Sequence, residues 1–437
     1  MIEILLSAFY TTIFLFLIYK MKFFKIEHIS FKILSSIFIL KILCGVSLTF
    51  IYTYYYQARA NADIFKYFDD GKILFSAIYE NPLDYLRMVT GIDSDAPHLQ
   101  KYYIQTNFWF KDFNYNLYND NRTVIRFNAI VQLFSFGYFS VHTVFMSFLS
   151  FVGLTAIYKT FRTSLREKYI ELLFAVYLVP SVLLWTSGVL KEGILMFALG
   201  LLVYSFYNLI IRKNKLWGIF NISICLFILA ISKFYVLLAA IPGLVLMFWL
   251  MKTHQKRPVL KFFIVHAFFF LLLIVGPKII GYNAFEVISA KQRDFVKMVN
   301  ACSDVGSAVK LPDLAPTPWG MIKNTPSAFV NSFFRPHIFE VYSPMVLLAA
   351  FENLIILILI IMSLVFMKRN NTNKALLYFA LSFVIILFLL SGLTTPVLGA
   401  LVRYKSPALP FLFILFLFFI DKQKIHFSLS KINFKKE

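Results

Sequence analysis

The chain has 437 residues, 59% of them hydrophobic and 15% charged, with a mean hydropathy of +0.73 and a formal net charge of +21. These values exclude an ordinary soluble globular domain. They do not point to nucleic acid either: the bases sit in short loops between apolar blocks, and no soluble basic domain is there to track phosphates.

Apolar blocks of about 20 residues, enough for a helix to cross a hydrocarbon core, lie near 2–19, 33–53, 139–158, 169–186, 190–211, 216–232, 234–251, 262–282, 344–367, 375–392 and 406–420. They predict an all-α polytopic membrane protein of about eleven transmembrane helices, a single integral membrane domain over 1–437. A β-barrel would need alternating polarity over about ten residues, and "ENLIILILIIMSLVF" does not alternate. The first block lacks a basic stretch and a small-residue cleavage site, so it reads as a retained span rather than a signal peptide.

Connections after alternate blocks are basic: "YKMKFFKIEHISFK", "KTFRTSLREK", "IRKNK", "KTHQKRPVLK", "MKRNNTNK" and the tail "DKQKIHFSLSKINFKKE". The positive-inside rule puts them in the cytoplasm. The expectation is a plasma-membrane (bacterial inner-membrane) protein with its N-terminus outside and its C-terminus cytoplasmic. Two longer segments, 54–138 and 283–343, then fall outside. They are too long for turns and rich in aromatics, so they should form surface-lying or re-entrant helices. No internal repeat is evident, unlike transporters built from duplicated halves.

The first outer segment opens on "ANADIFKYFDDGKILFSAIYENPLDYL". At about 100° per residue, Ile64, Tyr67, Phe68, Gly71, Leu74, Phe75 and Ile78 make one apolar stripe. Asp63 and Asp70 stand at one edge of it. Asp69 points away, between Lys66 and Lys72, where an exposed i, i+3 pair would account for it. Asp63 also suits the positive end of the helix dipole. Pro82 disfavours helical Asn81 and ends the helix.

This stretch resembles the GT-C superfamily of membrane glycosyltransferases, and in particular the "D-x-x-x-Y/F-x-D-A/G…NPY" form of lipid-linked mannosyltransferases. Asp63, Tyr67, Asp69 and Asn81-Pro82 match. "NPLDY" departs by two residues before Tyr85, and Asp70 stands where a small residue is usual. Near the other end, "VRYKSPALPFLFIL" is similar to the "RY-x-x-P-x-x-P" element of such enzymes through Arg403, Tyr404, Pro407 and Pro410. The resemblance implies a GT-C-like fold with amphipathic helices in its outer loops. It also implies transfer of a sugar from a polyprenyl-phosphate donor to a glycan, lipid or protein at the outer face.

Such a reaction needs a carboxylate to take the acceptor proton, so Asp63, Asp69 and Asp70 are the catalytic candidates. It also needs cations for the leaving phosphate: Arg403, Lys191 and Arg335. Lys191 is notable because a lysine opening a helix opposes the dipole; a lipid phosphate or a carboxylate such as Asp63 would explain it, as would snorkelling. Glu192 is either a capping acid or, with Tyr67 and Tyr404, a substrate contact. Lys41 inside the second block is costly and functional by default. Arg122 and Arg126 should seat an amphipathic outer helix among headgroups. His337, beside Arg335, shares its position near the outer face.

His98 and His142 lack partners at metal spacing, so no structural zinc is expected and no cofactor is indicated, a divalent metal not being demanded. Cys44 and Cys225 read as core residues, and Cys302 is alone in an outer loop. No glycine-rich phosphate loop suggests a soluble nucleotide-sugar. The partners expected are a polyprenyl-phosphate-linked sugar and membrane lipids; oligomeric state is not legible. The competing readings are a polysaccharide polymerase of the Wzy or EpsG type, a lipid or polysaccharide flippase, and a structural membrane subunit.

Overall fold

The computed structural model describes residues 1–56, 59, 62–111, 118–211, 215–301, 307–368 and 373–425. Cys302, part of the aromatic run of the first outer segment and most of the basic tail lie outside them. The described residues are helical, with no strand among them.

In chain order, α1 (Ile2–Lys20) and α2 (Phe31–Phe50) are followed by the outer-segment helices α3 (Asp63–Glu80), α4 (Pro82–Thr90), α5 (Gln100–Tyr103) and α6 (Asn121–Ser135). Then come α7 (Phe139–Arg162), the short α8 (Tyr169–Tyr177) and α9 (Pro180–Trp185), α10 (Lys191–Ile211), α11 (Lys215–Lys252) and α12 (Pro258–Ile280). The second outer segment carries α13 (Ala284–Ala301) and α14 (Pro318–Phe334). The chain ends through α15 (Pro344–Val365), α16 (Lys374–Thr394), α17 (Leu398–Lys405) and α18 (Leu409–Phe419).

Nine helical segments among the described residues are long and apolar enough to cross a membrane. Two differences separate nine from the expected eleven. The 169–186 block is not one helix: Pro180 lacks an N–H and disfavours helical geometry at Val179, so α8 stops and α9 restarts. The blocks 216–232 and 234–251 run together as α11, which breaks at Lys233 (φ −147°, ψ 86°). Its 38 residues would reach about 57 Å as a straight helix, nearly twice a hydrocarbon core.

Two compact units form: Met1–Thr160 with Leu183–Leu237, and Phe161–Val182 with Leu238–Glu437. In the first, α7 and α10 touch at glycines. A Cβ on Gly193 would meet Met146 Sδ at 2.4 Å, and one on Gly200 would meet Gly153 O at 2.0 Å. Each pair advances seven residues in the same sense, so the two helices run parallel, and small residues let their backbones close. Two consecutive parallel membrane helices require the intervening chain, 163–190, to return to the starting face. By contrast α10 and the first half of α11 pack antiparallel: Gly218 lies on Leu209 at one end and Lys233 meets Glu192 at the other.

The stripe expected on α3 is buried through Ile64, Tyr67, Phe68, Gly71 and Leu74. It packs under α6, closest at Gly71, where a Cβ would lie 2.5 Å from Asn128 Cβ. Asn81 is extended and caps α4, accepting from Leu83 N at 3.1 Å with Pro82 in the first turn, so the turn signal places the boundary correctly.

In the second unit α14 packs on α16 at Gly392, where a Cβ would lie 2.1 Å from Ala328 O. A bridge between Ala308 and Val397 ties the segment before α14 to the start of α17.

Candidate functional site

The first unit gathers an ionic cluster from four separate stretches of chain. Asp120 stands just before α6 with no capping bond of its own. Its Oδ2 lies 2.7 Å from Lys191 Nζ and its Oδ1 3.1 Å from Lys111 Nζ. The Lys191 side chain is only 8% exposed, and its ammonium also lies 5.7 Å from the centre of the Tyr67 ring. Tyr67 donates its hydroxyl to Asn121 Oδ1 at 3.1 Å. Next to Lys191, the buried Glu192 accepts from Lys233 Nζ at 2.8 Å.

The sequence builds this locally for definable reasons. Lys191 opposes the dipole of the helix it opens, and Asp120 offsets that cost. Lys233 sits where α11 breaks, at the negative end of the first half-helix, which favours a cation. The break also orphans carbonyls of that half-helix. Thr123 of α6 donates its hydroxyl to one of them, Ile231 O, at 2.7 Å, and so ties α6 to the break. Burial alone would raise the Asp120 carboxyl, but the ammonium groups of Lys191 and Lys111 hold it well below the usual carboxylate range.

The three candidate carboxylates on α3 have different surroundings. Asp63 is the first residue of the helix and half-buried. It lies one turn before Tyr67, about 5–6 Å along the same face. Asp69 is not held by Lys66 or Lys72; its two oxygens take Arg59 Nη1 at 3.1 Å and Nη2 at 3.4 Å. Its exposure agrees with the sequence, and its partner came from the loop before the helix. Asp70 is fully buried. Its Oδ1 accepts from Asn107 N at 2.7 Å and Asn107 Nδ2 at 2.9 Å, and its Oδ2 from Phe108 N at 2.8 Å. Burial raises this carboxyl and the three N–H donors pull it back. Asp70 therefore anchors the backbone at Asn107 and Phe108, three residues before Lys111.

Arg122 and Arg126 differ from their expected place among headgroups. Both guanidiniums face the buried Trp109 ring, at 4.6 and 5.3 Å from its centre, and Trp109 stacks on Tyr103. Arg122 Nε bonds Trp109 O at 3.1 Å and Arg126 Nε bonds Met88 O at 2.8 Å. Arginine suits this stacking because its planar cation is weakly hydrated. Lys41 is fully buried in α2 and donates to Thr186 Oγ1 at 2.7 Å, in the turn that leads to Lys191.

The second unit holds the other candidates. Arg335 follows α14 and is engaged by Glu340, with Nε at 2.6 Å from Oε1; His337 lies 3.5 Å from the same carboxylate. Arg403 and Tyr404 are half-buried on α17, the Tyr404 ring standing 6.5 Å from that of Phe295. The neighbouring Lys405 is fully buried, bonding Asn353 Oδ1 at 2.9 Å, Ser332 O at 3.1 Å and Arg335 O at 3.2 Å. The same unit buries Glu352, which accepts from Ser181 N at 2.8 Å.

His98 bonds Asp84 at 2.9 Å, and His142 lies between Asn128 Oδ1 (2.7 Å) and Ser135 Oγ (2.9 Å). Among the described residues no group of three or more His, Cys, Asp or Glu is placed to hold a metal ion.

Sequence reasoning singled out Lys191, Glu192 and Tyr67 and missed Asp120, Asn121, Lys111 and Lys233. One signal was available: a lysine opening an apolar helix calls for a carboxylate, and acids are scarce in this chain, 22 against 43 bases. No known protein-family model, no curated protein and no solved structure matches the chain.

Proposed function

We propose that this chain is a GT-C-like membrane glycosyltransferase that moves a sugar from a polyprenyl-phosphate donor to a glycan, lipid or protein acceptor at the outer face of the plasma membrane. The observation that carries the reading is the cluster of Lys111, Lys191 and Lys233 around Asp120 and Glu192, one helical turn from Asp63 through Tyr67. Its cations exceed its acids by one, which suits an anionic headgroup. It lies at the start of α10 and the end of a membrane-length half-helix, the level a lipid phosphate occupies.

The parallel packing of α7 and α10 supports eleven crossings, with α8 and α9 together making one and the two halves of α11 counted separately. An odd number keeps the termini on opposite faces, N-terminus outside and C-terminus cytoplasmic. In this reading Asp63 is the base: it opens α3 one helical turn before Tyr67, whose ring faces the Lys191 ammonium. Asp70 is saturated by N–H donors, and Asp69 is paired to Arg59. The ammonium groups of Lys191 and Lys111 hold the Asp120 carboxyl below its usual range, and Asp120 in turn positions both lysines for the donor phosphate.

One observation favours a second reading, a flippase for the same kind of lipid: α11 is a broken helix with ionic groups at the break, as in many transporters. The break follows 18 residues, about 27 Å of helix, a length that suits a break at a membrane face better than one at the midplane. That favours chemistry at a surface over passage through the bilayer.

The test is sugar transfer by purified protein from a polyprenyl-phosphate-linked sugar. Lys111→Gln, a change at a 40% exposed side chain that leaves the fold alone, should raise the KM for the donor several-fold. No transfer by the wild type, together with movement of the labelled lipid between leaflets, would install the flippase reading instead.

A further inference from the structure

The turn joining α1 to α2 encloses a cleft of about 390 Å³ that the proposed reaction does not use. Its floor is apolar: Ile18 (2% exposed), Phe24 (2%) and Leu34 (1%). The exposed rings of Tyr19 and Phe31 stand at its mouth, 5.3 Å between centres. The turn is held open by its own backbone, with Phe24 N bonding Met21 O at 3.1 Å and Ile29 N bonding Ile26 O at 3.2 Å. The size is that of a small-ligand site.

Depth says what kind of ligand fits. The 19 residues of α1 reach about 28 Å, one hydrocarbon thickness, so the cleft sits where acyl chains meet headgroups. Charge says which headgroup. The turn and its flanks, 20–32, carry Lys20, Lys22, Lys25 and Lys32 against one acid, Glu27; Lys25 and Glu27 both line the cleft, and Glu27 faces His28 at 3.4 Å. Lys25 itself is exposed on the rim. Such a basic cluster beside a membrane helix attracts anionic lipid through each lysine's interaction with the surface.

We propose that this cleft binds one anionic phospholipid of the cytoplasmic leaflet, its acyl chain against Ile18, Phe24 and Leu34 and its phosphate on Lys25. A zwitterionic lipid would fit the floor equally well but gains less from the lysine excess of the turn over 20–32. The proposal stands apart from the proposed transferase site.

Native mass spectrometry of the purified full chain tests it, with phosphatidylglycerol and phosphatidylcholine of identical acyl chains as probes. One phosphatidylglycerol should remain bound to the wild type. Lys22→Gln/Lys25→Gln, both exposed positions, should lower its retention roughly tenfold. Lys252→Gln/Lys256→Gln, in another basic loop, should leave retention unchanged. Ile26→Trp, which narrows the cleft, should displace the lipid without lowering the melting temperature. Equal retention of both lipids by the wild type, or undiminished phosphatidylglycerol on the Lys22/Lys25 variant, would overturn the proposal.

Discussion

Glu192 Oε1 lies 2.8 Å from Lys233 Nζ, both side chains at 5% exposure or less, although 41 residues separate them. The pair closes one end of the α10–α11 contact at the point where α11 breaks. Removing one member leaves the other buried without its counter-charge, which costs about 3–5 kcal/mol. Glu192→Gln and Lys233→Met should each lower the melting temperature strongly, and the double variant should recover part of the loss. A double variant as unstable as the sum of the singles would mean that the two do not act as a pair.

Asp70→Ala removes the acceptor for three N–H donors of Asn107 and Phe108. With a buried carboxylate at the centre, the loss should be about 3 kcal/mol. Amide exchange should rise at Asn107 and Phe108 in particular. Unchanged protection there would show that the backbone at these two residues is held by something else.

The α7–α10 contact is tested by Gly153→Ala. A Cβ there would sit 2.2 Å from Met196 O, a backbone atom that cannot swing aside. Overpacking of this kind costs about 1–3 kcal/mol. Gly137→Ala is the informative contrast: it meets no neighbour within 4 Å, but its φ of +83° strains any residue with a Cβ. Its cost should come from backbone alone and leave the α7–α10 spacing intact, as distance measurements between spin labels would read.

The helix periodicity of α3, its end at Asn81-Pro82 and most apolar spans were legible because each depends on residues a few positions apart. Long-range partners were not. Asp70 meets residues 37 and 38 positions away in a segment without periodicity, so its edge position on α3 gave no sign of these contacts. Asp120 lies in the polar run "YNDNR", which carries no pattern of its own. Lys233 falls between the blocks 216–232 and 234–251, and nothing near it in sequence points to Glu192, 41 residues earlier. Arg122 and Arg126 read as headgroup anchors because nothing local announces a buried tryptophan 13 and 17 residues earlier.

The Asp120 carboxyl is depressed in the folded state, so the sign of its pH dependence is fixed. Its stabilising effect is fully present above the unfolded value of about 3.9 and is lost as pH falls through the lower folded value. Asp120→Asn should therefore destabilise at neutral pH and lose less additional stability than the wild type below about pH 4. Parallel losses in acid for both proteins would remove Asp120 from the account.

The central claim is that Asp63 takes the acceptor proton beside a lysine cluster that holds the donor phosphate. The most direct measurement is single-turnover sugar transfer from a polyprenyl-phosphate-linked donor by Asp63→Asn. Transfer should fall about a hundredfold or more, with the melting temperature and donor binding unchanged. Transfer at the wild-type rate by a correctly folded Asp63→Asn protein would contradict the claim.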